Sequence, residues 1–171
     1  EYDQELSDQI DRKVAEIGWD GQLLHDEHGR RVYGTLLEKL LTPLLEKLTH
    51  FVPDAGIWMN TQRPEWNDAN NALAGYGASV VTLGYIHRYL RFMVRLLQKS
   101  GRSSVSIRGD LWAMLDGLEG ALAPLAASES LLDEGQRAKI ASVLGEIGSR
   151  HRDKVYNDGV SDRRIDQSME A

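Results

Sequence analysis

Apolar residues recur every three or four positions over most of this 171-residue chain, which is the period of an amphipathic helix. The pattern predicts helices over about 2–17, 33–51, 78–98, 105–127 and 133–156. No stretch alternates between apolar and polar residues for long enough to predict a useful strand. The chain is therefore predicted to be all-α, with five or six helices joined by loops.

Several details of these helices follow from local residue types. Pro43 either kinks the second helix or begins another one, with Thr42 as its N-cap. The segment 51–58, "FVPDAGIW", is predicted to be a connection, and Asp133 is predicted to cap the last helix. The helix over 78–98 is apolar around so much of its circumference that we expect it to be buried on more than one side.

The domain organisation is simple. A chain of this length forms one domain with a sizeable core. We expect residues 1–156 to be a single helical domain or a fragment of one, and residues 157–171 to be a polar tail. Because the chain does not begin with Met, we expect it to be a piece of a longer protein.

Composition excludes some classes of function. The net charge of −6 argues against nucleic acid or an anionic membrane as the main partner. No apolar run approaches the ~20 residues of a membrane span, and the polar, acidic start is not a secretory signal. The absence of cysteine excludes disulfides and thiol catalysis. These features together predict a cytoplasmic protein.

One segment, "TQRPEWNDANNALAGYG" at 61–77, is much richer in polar side chains than the rest of the chain. Part of it has a purely structural explanation. Pro64 suits the first turn of a short helix over about 66–73, Asn67 suits its N-cap, and acidic residues there oppose the helix dipole. This explanation does not account for the whole set of polar groups.

The same residue types suit a sugar. Within a helix they fall on two adjacent faces, one with Glu65, Asp68 and Asn71 and the other with Trp66, Asn67 and Asn70. Sugar hydroxyls need closely spaced donors and acceptors, and the C–H face of a sugar packs on a flat ring, for which Trp66 and Trp58 are candidates. Glu65 and Asp68 are candidates for the acid that protonates a glycosidic oxygen. Arg63 is a candidate for holding an anion such as phosphate.

The string "EWNDANNAL" at 65–73 resembles the "DWND" segment of inverting glycoside phosphorylases of the cellobiose phosphorylase type. More broadly it is similar to the six-hairpin glycosidases, whose fold is an (α/α)6 toroid of helical hairpins. The resemblance covers residues 62–90 and implies that Asp68 is the general acid. It also implies a carbohydrate substrate cleaved with inversion by water or phosphate. No cofactor is expected, although inorganic phosphate would be a co-substrate in phosphorolysis.

Two departures from that family matter. Glu65 stands where the family segment has its first Asp. Because the Glu side chain is longer, we expect any contact that its carboxylate makes to be displaced. A toroid needs twelve helices, about twice the number predicted here.

The position of Glu65 also bears on activity. In a helix, Glu65 would approach the sugar from the same side as Asp68, so it is poorly placed as the opposing group. We therefore expect the isolated chain to be inactive, and its apolar helices to bind the remainder of a longer polypeptide or to self-associate.

Other candidate residues have simpler explanations. His25 and His28 flank two acidic residues in a pattern that suits a transition metal, but no third histidine is near, so a solvated loop is favoured. His87 is interpreted as a hydrogen-bonded core or rim histidine rather than a base. The alternative for the whole chain is a non-catalytic helical interaction or scaffold domain, in which the acidic segment only caps a helix.

Overall fold

A computed structural model describes residues 3–25, 28–60, 76–127, 132–160 and 163–169. The fold of these residues is mainly helical. Its five α-helices are α1 (Gln4–Ile17), α2 (Leu36–Leu48), α3 (Val80–Ser100), α4 (Gly109–Ala127) and α5 (Glu134–Asp158), and a 3-10 helix over Gly18–Gln22 follows α1. None of the described helices is both long enough and apolar enough to span a membrane.

The prediction that the chain has no useful strand was wrong. Three strands, β1 (Phe51–Val52), β2 (Gly56–Asn60) and β3 (Tyr76–Ser79), form an antiparallel sheet in that order. A second antiparallel sheet pairs β4 (Ser104–Arg108) with β5 (Arg164–Ser168). These strands have two to five residues, too few for alternation to stand out from the helical pattern on either side.

The strands also change the predicted boundaries. The segment 51–58, predicted as a connection, forms β1, a turn and most of β2. The first residues of the predicted helices at 78 and 105 belong to β3 and β4. Within the predicted polar tail, β5 pairs along its whole length with β4.

Helix ends follow the capping rules. Thr35 and Glu38 form a capping box at the start of α2, and Asp133 and Gln136 form another at the start of α5, which confirms Asp133 as an N-cap. Pro43 lies inside a continuous α2, so it does not begin a new helix. The Thr42 hydroxyl donates to the Glu38 carbonyl oxygen at 2.8 Å and caps nothing.

Helix α2 joins two apolar clusters through adjacent residues. Leu45 packs in the larger cluster, whose buried members are Leu45, Ile107, Leu111, Met114, Leu118, Leu144 and Ile147. Leu44 packs with Ile57 of β2 and Ile86 of α3 in the smaller one. Since α2 contributes to both clusters, it holds α4 and α5 in place on one side and β2 and α3 on the other.

Helix α3 is buried along one stripe, not on several sides as predicted. Only Ile86 and Met93 of this helix are fully buried. Large apolar side chains remain exposed elsewhere on it, among them Val81, Tyr85 and Phe92. A helix with a second apolar stripe exposed to solvent is typical of an interaction surface.

A close approach between α5 and the end of α2 gives a stability prediction. A Cβ atom added at Gly148 would lie 2.8 Å from the Thr49 hydroxyl oxygen and 2.9 Å from its Cβ. Gly148→Ala is therefore expected to destabilise the chain by about 1–3 kcal/mol through overpacking. The measurement is the free energy of unfolding in urea.

Gly145, three residues earlier on the same helix, is the matched control. A Cβ atom there meets nothing within 4 Å, so Gly145→Ala is expected to stabilise the chain by about 0.5–1 kcal/mol through helix propensity. Equal effects of the two substitutions would contradict the close packing of α5 on Thr49.

Candidate functional site

The sugar-site segment predicted from the sequence lies between β2 and β3. These strands pair in register from Ile57↔Ser79 to Asn60↔Tyr76. Residues 61–75 connect Asn60 to Tyr76, so the two ends of that segment are held next to each other by the sheet. The sheet therefore gives the segment a fixed place of attachment to the core.

The end of the β2–β3 pair that lies away from residues 61–75 is packed against the core. Ile57 is fully buried against Leu44 and Ile86. The backbone N–H of Trp58 donates to the His50 carbonyl oxygen at 2.7 Å. At Gly56 an added Cβ would lie 2.8 Å from the Ser79 carbonyl oxygen, and φ is +133°, so only glycine fits comfortably there.

Trp58 is the one predicted site residue that the structure describes. It follows buried Ile57, and because successive side chains of a strand point to opposite faces, its ring lies on the outer face of the sheet, where 45% of the residue is exposed. An exposed tryptophan ring beside the attachment points of the segment is placed as a sugar platform would be. The remaining predicted site residues lie outside the described residues; they are Arg63, Glu65, Trp66, Asn67, Asp68, Asn70 and Asn71.

A buried carboxylate, Glu38, ties three elements together. Its Oε1 accepts from the Arg108 backbone N–H at 2.8 Å and from Arg164 Nη1 at 2.8 Å. Its Oε2 accepts from the Thr35 backbone N–H at 2.7 Å and from Arg164 Nη2 at 3.1 Å. Arg164 also donates to the Tyr33 carbonyl oxygen at 2.9 Å.

The protonation of Glu38 reflects these bonds. Burial favours the neutral acid and would raise the pKa of Glu38, but the backbone N–H groups of Thr35 and Arg108 and the Arg164 guanidinium outweigh burial and lower the pKa below its ordinary value. A carboxylate with four donors has no lone pair free for a substrate. Glu38 is therefore a structural residue that joins α2, β4 and β5.

A second polar cluster lies where α2, α4 and α5 meet. His151 Nδ1 is 3.1 Å from Glu46 Oε1, and its Nε2 is 3.9 Å from Asp110 Oδ2. Asp110 Oδ1 lies 3.4 Å from Arg108 Nε. The Asp110 side chain is only 3% exposed. The His151 imidazole, which lies between the carboxylates of Glu46 and Asp110, is therefore largely shielded from water.

A cavity of about 420 Å³ between α4 and α5 borders this cluster. It is lined by acidic, basic and apolar side chains, including Asp110, Asp116, Arg150, His151 and Lys154. Asp110 Oδ1, His151 Nε2 and Arg108 Nε are buried without a hydrogen-bond partner of good geometry. These three unpaired atoms lie below the cavity surface.

Sequence inspection missed this cluster because its members are far apart in the chain. Glu46, Asp110 and His151 each stand alone in a different helical segment, and only tertiary packing brings them together. The histidines singled out from the sequence lie elsewhere. His25 forms an isolated bridge with Arg31, and no group of three potential metal ligands occurs in the described part of the chain. His87, predicted to lie in the core or at its rim, is exposed on α3 and is therefore not a core residue.

A scan against models of protein families and a search of curated proteins both found no match.

Proposed function

We propose that this chain carries part of the sugar site of a carbohydrate-active enzyme that cleaves a glycosidic bond with inversion, by phosphorolysis or hydrolysis. The observation that carries the proposal is that residues 61–75, whose sequence includes "EWNDANNAL", connect the paired strands β2 and β3. Strand β2 also presents the exposed ring of Trp58, two residues before its last residue, Asn60. The mainly helical fold is consistent with a set of hairpins from a larger (α/α)6 toroid.

The proposed chemistry assigns one role to each group. Asp68 protonates the glycosidic oxygen as the bond to the leaving sugar breaks, while water or phosphate attacks the anomeric carbon from the opposite face. Trp58 and Trp66 support the apolar faces of the sugar, and Asn67, Asn70 and Asn71 hydrogen-bond its hydroxyls. Arg63 binds the phosphate anion in a phosphorolytic enzyme, and Glu65 contacts the sugar on the side of Asp68. The group opposite Asp68 comes from another part of the enzyme.

Sugar binding by the chain tests this proposal directly. We expect a glucosyl disaccharide such as cellobiose to raise the melting temperature and to shift the Trp58 indole N–H resonance. Trp58→Ala is expected to weaken binding by about 1–3 kcal/mol, the usual cost of losing an aromatic contact of this size. The measurement is a calorimetric or NMR titration.

Trp19→Ala is the matched control, because Trp19 is 80% exposed on the 3-10 helix, away from the hairpin. This substitution should leave sugar affinity unchanged. If a panel of glucosyl, galactosyl and mannosyl disaccharides gives neither stabilisation nor shifts at Trp58, the sugar site is excluded.

The second candidate function is a helical interaction domain without chemistry. The exposed apolar residues of α3 favour it, because such a surface is typical of a protein contact. A stable complex that is indifferent to every sugar tested would favour this candidate over the enzyme.

A further inference from the structure

Two helices of this chain each leave an apolar stripe without a partner in the described structure. On α3 the stripe consists of Val81, Tyr85, Phe92 and Leu96, which are between 38% and 64% exposed. On α1 it consists of Leu6, Ile10, Val14 and Ile17, of which Leu6 is 51% and Ile17 57% exposed. Helix α1 buries no residue completely, and its main contacts are with the 3-10 helix that follows it.

The α3 stripe is about as long as the whole of helix α1, while the apolar stripe of α1 itself, from Leu6 to Ile17, is shorter, about 16 Å at 1.5 Å per residue. Helix α1 has 14 residues and is about 21 Å long at 1.5 Å per residue. The α3 stripe runs from Val81 to Leu96, about 22 Å on the same scale. The α1 residues are spaced by four, four and three positions and the α3 residues by four, seven and four, so each set lies along one face of its helix, as is needed for one helix to pack along another.

The charges beside the two stripes are opposite. Helix α3 contains four basic residues, Arg88, Arg91, Arg95 and Lys99, and no acidic one. No carboxylate of the described residues forms an ion pair with these arginines; Arg88 instead lies over the Tyr85 ring at 5.8 Å. Helix α1 and its N-cap contain two basic residues and five acidic ones, which are Asp3, Glu5, Asp8, Asp11 and Glu16.

We propose that α1 of one copy of this chain docks on the α3 stripe of a second copy. The described contacts favour docking of α1 on α3 of a second copy over docking on α3 of the same chain. Helix α1 is fixed against the 3-10 helix that follows it, because Gly21 packs directly against the backbone of Lys13 and Val14. The next segment is held by the Asp20–Arg31 ion pair at 3.1 Å. Reciprocal exchange of α1 gives a dimer with twofold symmetry in which the contact occurs twice.

The first test is the mass of the whole chain in solution by sedimentation equilibrium. The proposal expects a concentration-dependent dimer that weakens as salt is added, because the flanking charges are screened. Phe92→Ser is expected to raise the dissociation constant by about tenfold or more, since it removes a large apolar side chain from the contact. Val94→Ser is the control: Val94 is also exposed on α3, at 53%, but it lies ~200° around the helix from Phe92 and should have no effect.

A charge-swap experiment identifies α1 as the occupant. One variant carries Asp11→Lys and Glu16→Lys on α1, and the other carries Arg88→Glu and Arg95→Glu on α3. Each variant alone places like charges across both contacts, so its dissociation constant should rise by at least about tenfold. An equimolar mixture restores attraction at both contacts and should recover the mixed dimer.

Circular dichroism of each variant shows whether it is folded. A chain that is monomeric up to millimolar concentration overturns the proposal. So does a dimer that is insensitive to Phe92→Ser, or a pair of swapped variants that fails to form the mixed dimer. None of these results depends on sugar binding, so the outcome is separate from that of the proposed enzyme function.

Discussion

Replacing Glu38 with alanine is expected to destabilise the folded chain by about 3 kcal/mol or more, because it removes one partner of a buried ion pair. The backbone N–H groups of Thr35 and Arg108 would lose their acceptor, and the Arg164 guanidinium would lose its carboxylate partner and keep the Tyr33 carbonyl oxygen. The capping box of α2 would be lost as well. The free energy of unfolding in urea measures the effect.

Glu134→Ala provides the comparison, because Glu134 is an exposed acid in the first turn of α5. It should change stability by no more than about 0.5 kcal/mol. Similar losses for the two variants would contradict the role of Glu38 as the joint between α2, β4 and β5.

The same carboxylate makes stability depend on pH. The pKa of Glu38 is lower in the folded chain than its ordinary value of 4.5, so the folded state favours the ionised form. Its contribution is fully present above that ordinary value and is lost as the pH falls from about 4.5 through the lower folded pKa. In the Glu38→Ala variant this part of the acid destabilisation should be missing.

Under the proposed function, replacing Asp68 with asparagine is expected to lower kcat by about 10² to 10⁴-fold, the usual contribution of general acid catalysis. Asparagine keeps the size and the capping ability of the side chain but cannot donate a proton to the leaving oxygen. Stability should therefore change little. The measurement is turnover of a disaccharide with phosphate and with water as alternative nucleophiles.

Asp153→Asn, on the exposed face of α5, is the control and should leave turnover unchanged. A substrate with a good leaving group needs less protonation, so it should recover much of the activity lost in Asp68→Asn. If the Asp68→Asn variant keeps full activity on its natural disaccharide, Asp68 is not the general acid and only caps a helix.

The helices could be predicted from the sequence because helix signals are local. The apolar period lies within each helix, and the predicted cap Asp133 directly precedes its helix; the cap at Thr35 was not predicted, although Thr35 and Glu38 have the capping-box spacing. The strands could not be predicted in this way. The strand β5, "RIDQS", is polar apart from Ile165, and its partner β4 lies about sixty residues earlier, so its structure depends on pairing and not on its own residues.

The same distinction applies to the candidate sites. The segment proposed to bind sugar is contiguous, so its unusual composition is visible in the sequence, and the structure adds only that paired strands flank it and that Trp58 is exposed. The cluster of Glu46, Asp110 and His151 joins three helices and has no signature in the sequence. A candidate site composed of single residues from separate elements becomes visible only in the folded chain.

The pairing of β4 with β5 has a consequence for the order of folding during synthesis. The Glu38 carboxylate near the start of the domain meets Arg164 only after 126 further residues have been made. Until then, α2 carries a negative charge that later becomes buried, and β4 presents an unpaired edge that is open to other chains. The edge of β4 is therefore covered only once β5 has been made, and a nascent chain that stalls before residue 164 is expected to be more prone to aggregation than one that contains β5.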